Sequence, residues 1–188
     1  MSLSHAVLTS LIEKSSSGYA LARRFDKSIG YFWHATHQQI YRELARMEAA
    51  GWIASSSAPD AGKTRKREYR VLAAGLAELA RWANEPCAPM DPRDEFMVKL
   101  RAEAALGEID LRAELRRRIA LHHEKLAHYR EIEERDFPSA KSMPRLARIH
   151  HMILKKGILY EQVSIAWSEE MLLVLATASA SSNVRRDP

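Results

Sequence analysis

A single cysteine, Cys87, stands in 188 residues, so neither a disulfide-braced scaffold nor a thiolate zinc site can be built. Such sparing use of cysteine fits a reducing compartment. The longest apolar run, residues 171–178, is too short to span a bilayer. The N-terminal stretch MSLSHAVLTSLIEK lacks the charged-then-apolar order of a secretory signal and carries Glu13 among its apolar residues. No internal repeat or low-complexity segment occurs. With 46% hydrophobic residues the chain is too apolar to stay disordered. No nucleophile–base motif, HExxH spacing or phosphate-cradling glycine loop is found, so neither an enzyme nor a bound cofactor is expected. These absences predict a soluble cytoplasmic protein that does not enter a membrane.

Excess charge is missing from one half only. Residues 1–84 hold 12 basic and 7 acidic side chains, whereas residues 85–188 hold 17 of each. The whole net charge of +5 therefore sits in the first half. That asymmetry predicts two modules, one facing a polyanion and one not.

The first half reads as three helices, a hairpin and a fourth helix. Leu3, Val7, Leu8, Leu11 and Ile12 repeat at helical spacing. Ser15, Ser16 and Ser17 break that helix, and Ser17 is placed to cap a second one carrying Tyr19, Leu21, Ala22 and Phe25, ended by Gly30. After the aromatic turn Tyr31-Phe32-Trp33, the order Thr36-His37-Gln38-Gln39 fits a capping box, and Gly51 is the stop signal. Residues 52–55 and 68–71 read as a two-stranded wing around a turn rich in Ser, Pro, Asp and Gly. A fourth helix follows over 74–84, with Leu76, Leu79, Ala80 and Trp82 on its apolar side. Helix–helix–helix–hairpin–helix within about 85 residues is the order of a winged helix-turn-helix domain.

The second half is nearly all helix, expected over 92–106, 111–136 and 143–177, with Asp91 as N-cap and Pro92 at the first helical position. The expected organisation is a domain over 1–85, a linker over 86–91, a helical dimerisation and effector domain over 92–177, and a frayed tail over 178–188. The architecture is thus mainly α: an N-terminal winged helix-turn-helix and a C-terminal antiparallel pair of long helices. Leu115, Ile119, His122, Leu126 and Tyr129 on one long helix step by 3 and 4. So do Leu146, Ile149, Ile153, Lys156, Tyr160, Val163 and Trp167 on the other. Both rows read as the seam between the two. A second stripe, Leu154, Ile158, Ile165, Leu172 and Leu175, is then left for self-association. Trp167 belongs to a dimer interface or a ligand pocket.

The third helix carries the functional reading. At 100° per residue, Ile40, Leu44 and Met47 share a core-facing side. Gln38, Tyr41, Arg42, Ala45 and Ala49 lie opposite, with His37 and Arg46 at the margins. Gln can bond adenine edges, Arg can grip guanine or phosphate, and Ala lets a helix approach a groove floor. The wing tip, Lys63-Thr64-Arg65-Lys66-Arg67, sets four cations within five residues, as phosphate contacts require.

Three stretches carry a family resemblance. They are Ser17-Gly18-Tyr19-Ala20-Leu21-Ala22-Arg23-Arg24-Phe25, then Tyr31-Phe32-Trp33-His34-Ala35-Thr36-His37, then Gln39-Ile40-Tyr41-Arg42-Glu43-Leu44-Ala45-Arg46-Met47-Glu48-Ala49-Ala50-Gly51. In this order, with the wing and Ala74-Gly75 after them, the first half resembles the PadR family of bacterial transcriptional regulators. The second half is similar to the family's helical domain in length, position and its Asp94-Glu95-Phe96 segment. The resemblance implies a homodimeric repressor on an inverted repeat in double-stranded DNA, released by a small aromatic or drug-like effector. It places DNA-reading residues at Thr36, His37, Gln38, Gln39, Tyr41 and Arg42, with Arg65, Lys66 and Arg67 on the wing. Tyr19, Arg46 and Lys63 are counted with them. Two positions depart from the pattern. Gln38 stands where Ser is common, and Leu72 stands where Thr usually caps the fourth helix, which shifts or weakens that helix start.

The rival class is a winged-helix adaptor that binds a protein rather than DNA. A third, a metal enzyme built on His122, His123, His128, His150 and His151 with a carboxylate such as Glu124, lacks the usual ligand spacing. No metal is expected there, and Cys87 is read as an incidental thiol.

Overall fold

The computed structural model describes residues 3–26, 33, 35–57, 67–89, 93–138 and 143–182. The chain divides into two compact units, Met1–Met90 and Asp91–Pro188.

In the first unit, α1 (Leu3–Glu13), β1 (Ser16–Ser17), α2 (Gly18–Asp26), α3 (His37–Ala49), β2 (Ile53–Ser57), β3 (Arg67–Val71) and α4 (Ala73–Ala83) follow in order. Its core joins Val7, Leu8 and Leu11 of α1, Leu21, Ala22 and Phe25 of α2, Ile40, Leu44 and Met47 of α3, and Ile53 and Tyr69 of the sheet. Burying each large side chain of this kind contributes roughly 1.5–3 kcal/mol before conformational entropy is subtracted.

The expected two-stranded wing is present as β2 and β3, and the sheet gains one strand beside it. It has three antiparallel strands in the order β1-β3-β2, with Ser16 opposite Tyr69 and Ser17 opposite Glu68. The Ser15–Ser17 break is therefore also a strand, too short to show a period of its own. Arg24 of α2 anchors it, donating to Ser16 Oγ (2.9 Å), Lys14 O (2.7 Å) and Ser10 O (2.5 Å). Ser17 caps α2 as expected, its Oγ accepting from Ala20 N–H at 3.3 Å.

Helix α4 starts at Ala73 behind Leu72, whose side chain makes no capping bond. It packs on α1 through His5, which stacks on Trp82 at 4.4 Å and meets Glu78 Oε1 at 3.0 Å. Leu76, expected on its apolar side, is exposed. Trp33 and Trp52 pack against the core.

In the second unit, α5 (Glu95–Leu106), α6 (Arg112–Asp136) and α7 (Arg145–Ser182) are all helical. Helix α5 begins three residues later than expected. Asp94, not Asp91, is its cap and accepts from Phe96 N–H at 2.9 Å. Gly107, at φ 68°, ends it in the left-handed region where glycine is favoured. Helix α7 runs to Ser182, past the expected end at Thr177, because Ala and Ser continue there with no Gly or Pro to stop it. Residues 183–188 lie outside the described residues.

Helices α6 and α7 pair antiparallel. His122 pairs with Glu161 and His151 with Glu133, so partners later on one helix are earlier on the other. Gly157 permits the approach, since a Cβ there would stand 2.9 Å from the Tyr129 ring.

Within the unit the two stripes are buried otherwise than their spacing predicts. Ile158 and Ile165, expected at a dimer surface, are buried within the unit. Leu154 is half-buried, and Trp167, Leu172 and Leu175 pack on Phe96, Leu111 and Leu115. Conversely Leu146, Ile149, Ile153, Tyr160 and Val163, expected in the seam, are exposed. The residues that decide between the stripes come from α5 and the start of α6, which no periodicity along α7 can reveal.

Candidate nucleic-acid interface

The candidate interface is built around the N-terminal half of α3. Thr36 takes an extended conformation before the helix, and its Oγ1 accepts from Gln39 N–H at 3.2 Å. Gln39 Oε1 accepts in return from Thr36 N–H at 2.8 Å. This reciprocal box satisfies two donors that a bare helix start would leave to water. At the other end Trp52 N–H donates to Met47 O and Gly51 N–H to Glu48 O, both at 3.0 Å. Gly51 adopts φ 71° to close that turn.

Between these caps the helix divides as its spacing predicts. Ile40, Leu44 and Met47 are fully buried, while His37, Gln38, Tyr41, Arg42, Ala45 and Ala49 are exposed. Thr36 and Gln39 are engaged in the cap, and Gln39 is exposed as well. Arg42 has no ion-pair partner among the described residues, so its positive charge stands open to an incoming anion. Arg46 differs: its guanidinium pairs with Glu43 Oε2 at 2.7 Å and also donates to Ser4 Oγ, lashing α3 to α1. Tyr19 of α2 is 60% exposed, with the Arg23 guanidinium 5.9 Å from its ring centre. Its neighbour Gly18 lies directly against Tyr41.

Of the wing residues, Arg67 opens β3, while Lys63, Arg65 and Lys66 lie outside the described residues. Arg67 forms an ion pair with Glu48 of α3 at 3.6 Å. Glu48 also accepts from Ser55 N–H (3.2 Å) and Ser55 Oγ–H (2.5 Å) on β2. The Ser55 hydroxyl, aided by the Arg67 charge and opposed by burial, holds the Glu48 carboxyl below the usual glutamate value. Glu48 thus fastens the wing base to α3. It was not among the expected site residues, and its only trace in the sequence is an acid on a helix otherwise read through its cations.

Two histidines of the second unit, His122 and His151, face carboxylates across the α6–α7 seam. His122 donates through Nδ1 to Glu161 at 2.5 Å, because a carboxylate can only accept. Glu161 is 1% exposed and also receives Lys125 at 3.2 Å. Burial pulls the Lys125 ammonium down, but its bond to Glu161 and that residue's charge outweigh it and leave the group raised. His151 meets Glu133 at 2.7 Å and stacks on Phe137 at 4.9 Å. These are ties between helices, and among the described residues no three potential ligands converge on a point. Cys87 is exposed between α4 and α5.

A capped helix bearing an open cation, braced against a small three-stranded sheet, defines a winged helix-turn-helix protein with a long-helix partner unit. The model of the PadR-like transcriptional regulator family matches residues 7–81, and that of the virulence activator alpha C-terminal region matches residues 92–176. The chain is 41% identical over 184 residues to a "Probable transcriptional regulator" of Mycobacterium tuberculosis, covering 91% of this chain and 96% of the relative. Among solved structures, the Vibrio cholerae virulence activator AphA matches with a TM-score of 0.77 and 32% identity, over 96% of this chain and 99% of that one. Bacillus subtilis PadR, a negative transcriptional regulator, matches in complex with operator DNA with a TM-score of 0.81 and 27% identity, over 92% and 97% of the two chains. Its complex with p-coumaric acid matches with a TM-score of 0.75 and 26% identity, over 93% and 98%. The chain belongs to the PadR family of transcriptional regulators. None of its described helices is long and apolar enough to cross a membrane.

Proposed function

We propose that this regulator is a homodimeric cytoplasmic repressor that binds an inverted-repeat operator in double-stranded DNA and releases it when a small aromatic effector binds. The observation that carries the reading is the capped, outward face of α3, on which Gln38, Tyr41 and Arg42 are exposed and Arg42 is unpaired among the described residues. Gln38 is suited to an adenine edge, and Arg42 to guanine or a phosphate. His37 and Tyr19 complete the reading surface. Thr36 and Gln39 hold the helix N-terminus, whose dipole favours a phosphate. Lys63, Arg65, Lys66 and Arg67 supply sequence-independent charge from the wing, and Arg46 adds what its pairing with Glu43 leaves over. Self-association is assigned to the exposed stripe of α7. The p-coumaric acid complex of Bacillus subtilis PadR supports an aromatic effector. Release follows if the effector favours a dimer in which the two recognition helices no longer fit successive major grooves.

Gel-shift titration on the DNA upstream of the protein's own gene, with excess nonspecific competitor, tests this. A competitor-resistant shift is expected, with loss of the gene raising reporter expression. A shift that competitor abolishes would favour an adaptor role, and lowered expression would make the protein an activator. Replacing Arg65, Lys66 and Arg67 together by alanine should weaken binding on every sequence. It should also flatten the salt dependence, by about 0.9 in log–log slope for each phosphate no longer neutralised. An unchanged slope would remove the wing from the interface.

A further inference from the structure

We propose that Gly18 is a positioning residue that fixes where the Tyr41 ring stands on α3 and thereby sets part of the base preference. The inference rests on the DNA-reading role proposed above for that helix.

Gly18 is buried at the first position of α2, directly after β1. Its backbone does not itself require glycine, because positive φ among the described residues is confined to Gly51 and Gly107. Space requires it instead. A Cβ at position 18 would lie 2.5 Å from Tyr41 Cε1 and 3.2 Å from Tyr41 Cδ1, with Leu44 Cδ1 at 3.4 Å. Carbon atoms in contact sit about 3.5–4.0 Å apart, so something must move by roughly an ångström. Leu44 is fully buried in the core and cannot yield, whereas Tyr41 is 45% exposed and its ring can swing outward. The bare edge of α2 is therefore a seat for the phenol. Tyr41 lies one turn from Gln38 and beside Arg42, so a ring pushed off the seat changes what its hydroxyl reaches and what its neighbours can approach.

The seat gives Gly18→Ala an unusual signature. Alanine suits a helix better than glycine, and the displaced atoms belong to a half-exposed ring. The melting temperature should therefore change little. Affinity for the operator should fall about tenfold, and selection from a randomised half-site should return a different preferred sequence. In a Tyr41→Ala background, Gly18→Ala should have no further effect, because the group it displaces is gone. Fluorotyrosine labelling gives a readout that needs no DNA: the ¹⁹F resonance identified as Tyr41 by its loss in Tyr41→Phe should move in Gly18→Ala. An equal loss of affinity in both backgrounds would mean that Gly18 acts through the fold and would overturn the proposal. So would an unmoved resonance. If the unaltered protein failed to bind DNA at all, the base-preference claim would fall with the DNA-reading role, and the resonance alone would decide the seat.

Discussion

Thr36 and Gln39 form the start of α3 with two reciprocal hydrogen bonds, and this helix supplies both core residues and an exposed outward face. Loss of a threonine cap costs about 1 kcal/mol, a large share of the stability of a small winged unit. Thr36→Ala should therefore lower the urea midpoint of the first unit, with Thr36→Ser largely restoring it. A cap that served DNA contact alone would leave the urea midpoint unchanged and reduce only operator binding. The same residues explain why α3 was legible in the sequence. A capping box spans four positions and Gly51 follows directly on the C-terminus, so everything that sets the boundaries lies within the segment itself. Asp94 marks the limit of such reasoning. Asp91 and Asp94 are the same residue type three positions apart, and Pro92 makes the first attractive as a cap. The choice is made at Phe96, which is buried against Leu111 and Leu115 and so fixes where the helix must begin.

At the scale of elements, periodicity divided α3 correctly and failed on which faces of α6 and α7 meet. Helix α7 carries two apolar rows of similar spacing, and its sequence alone gives no reason to prefer either for the seam. The preference comes from across the unit. Gly157 admits Tyr129, and Phe96, Leu111 and Leu115 receive Trp167, Leu172 and Leu175. Strand β1 was invisible for a related reason. Two serines have no pattern, and the partners that make them a strand lie about fifty residues away on β3. The exchange of the two rows has a consequence that can be measured. Ile158 is 4% exposed and Val163 is 66% exposed on the same helix. Ile158→Ala should destabilise the second unit by about 2–5 kcal/mol, since it empties a packed site. Val163→Glu should leave helicity and melting of the dilute protein nearly unchanged. If the exposed row is the self-association surface, Val163→Glu should shift sedimentation toward the monomer, since the interface would then bury an unpaired charge. A dimer that persists in Val163→Glu would place self-association elsewhere on the chain.

Both units carry carboxylates whose folded state favours the charged form, and this sets how each responds to acid. In the first unit Glu78 is lowered from the ordinary 4.5 to about 2, chiefly by its hydrogen bond from Arg81 and next by that from His5. Glu48 is lowered beside Ser55. In the second unit Asp110 falls to about 2 through Arg112, and Glu133 is lowered first by His151 and, against burial, by Arg130. A carboxyl whose folded value lies below its unfolded one contributes its full stabilisation above the unfolded value. It loses that contribution as pH falls toward the folded value. Both units should therefore hold their stability from neutral pH down to about 4.5 and lose it progressively between about 4.5 and 2. The tryptophans separate the two responses, because Trp33, Trp52 and Trp82 report the first unit and Trp167 the second. Glu78→Gln should flatten the acid limb in the first unit without altering the second, and Glu133→Gln should do the reverse. The exposed pairs weaken as salt rises, so 0.5 M salt should diminish both limbs. An acid limb that neither substitution nor salt alters would show that other groups govern the loss. Stability falling already between pH 7 and 5 would lie outside the range of these carboxylates and would overturn the account.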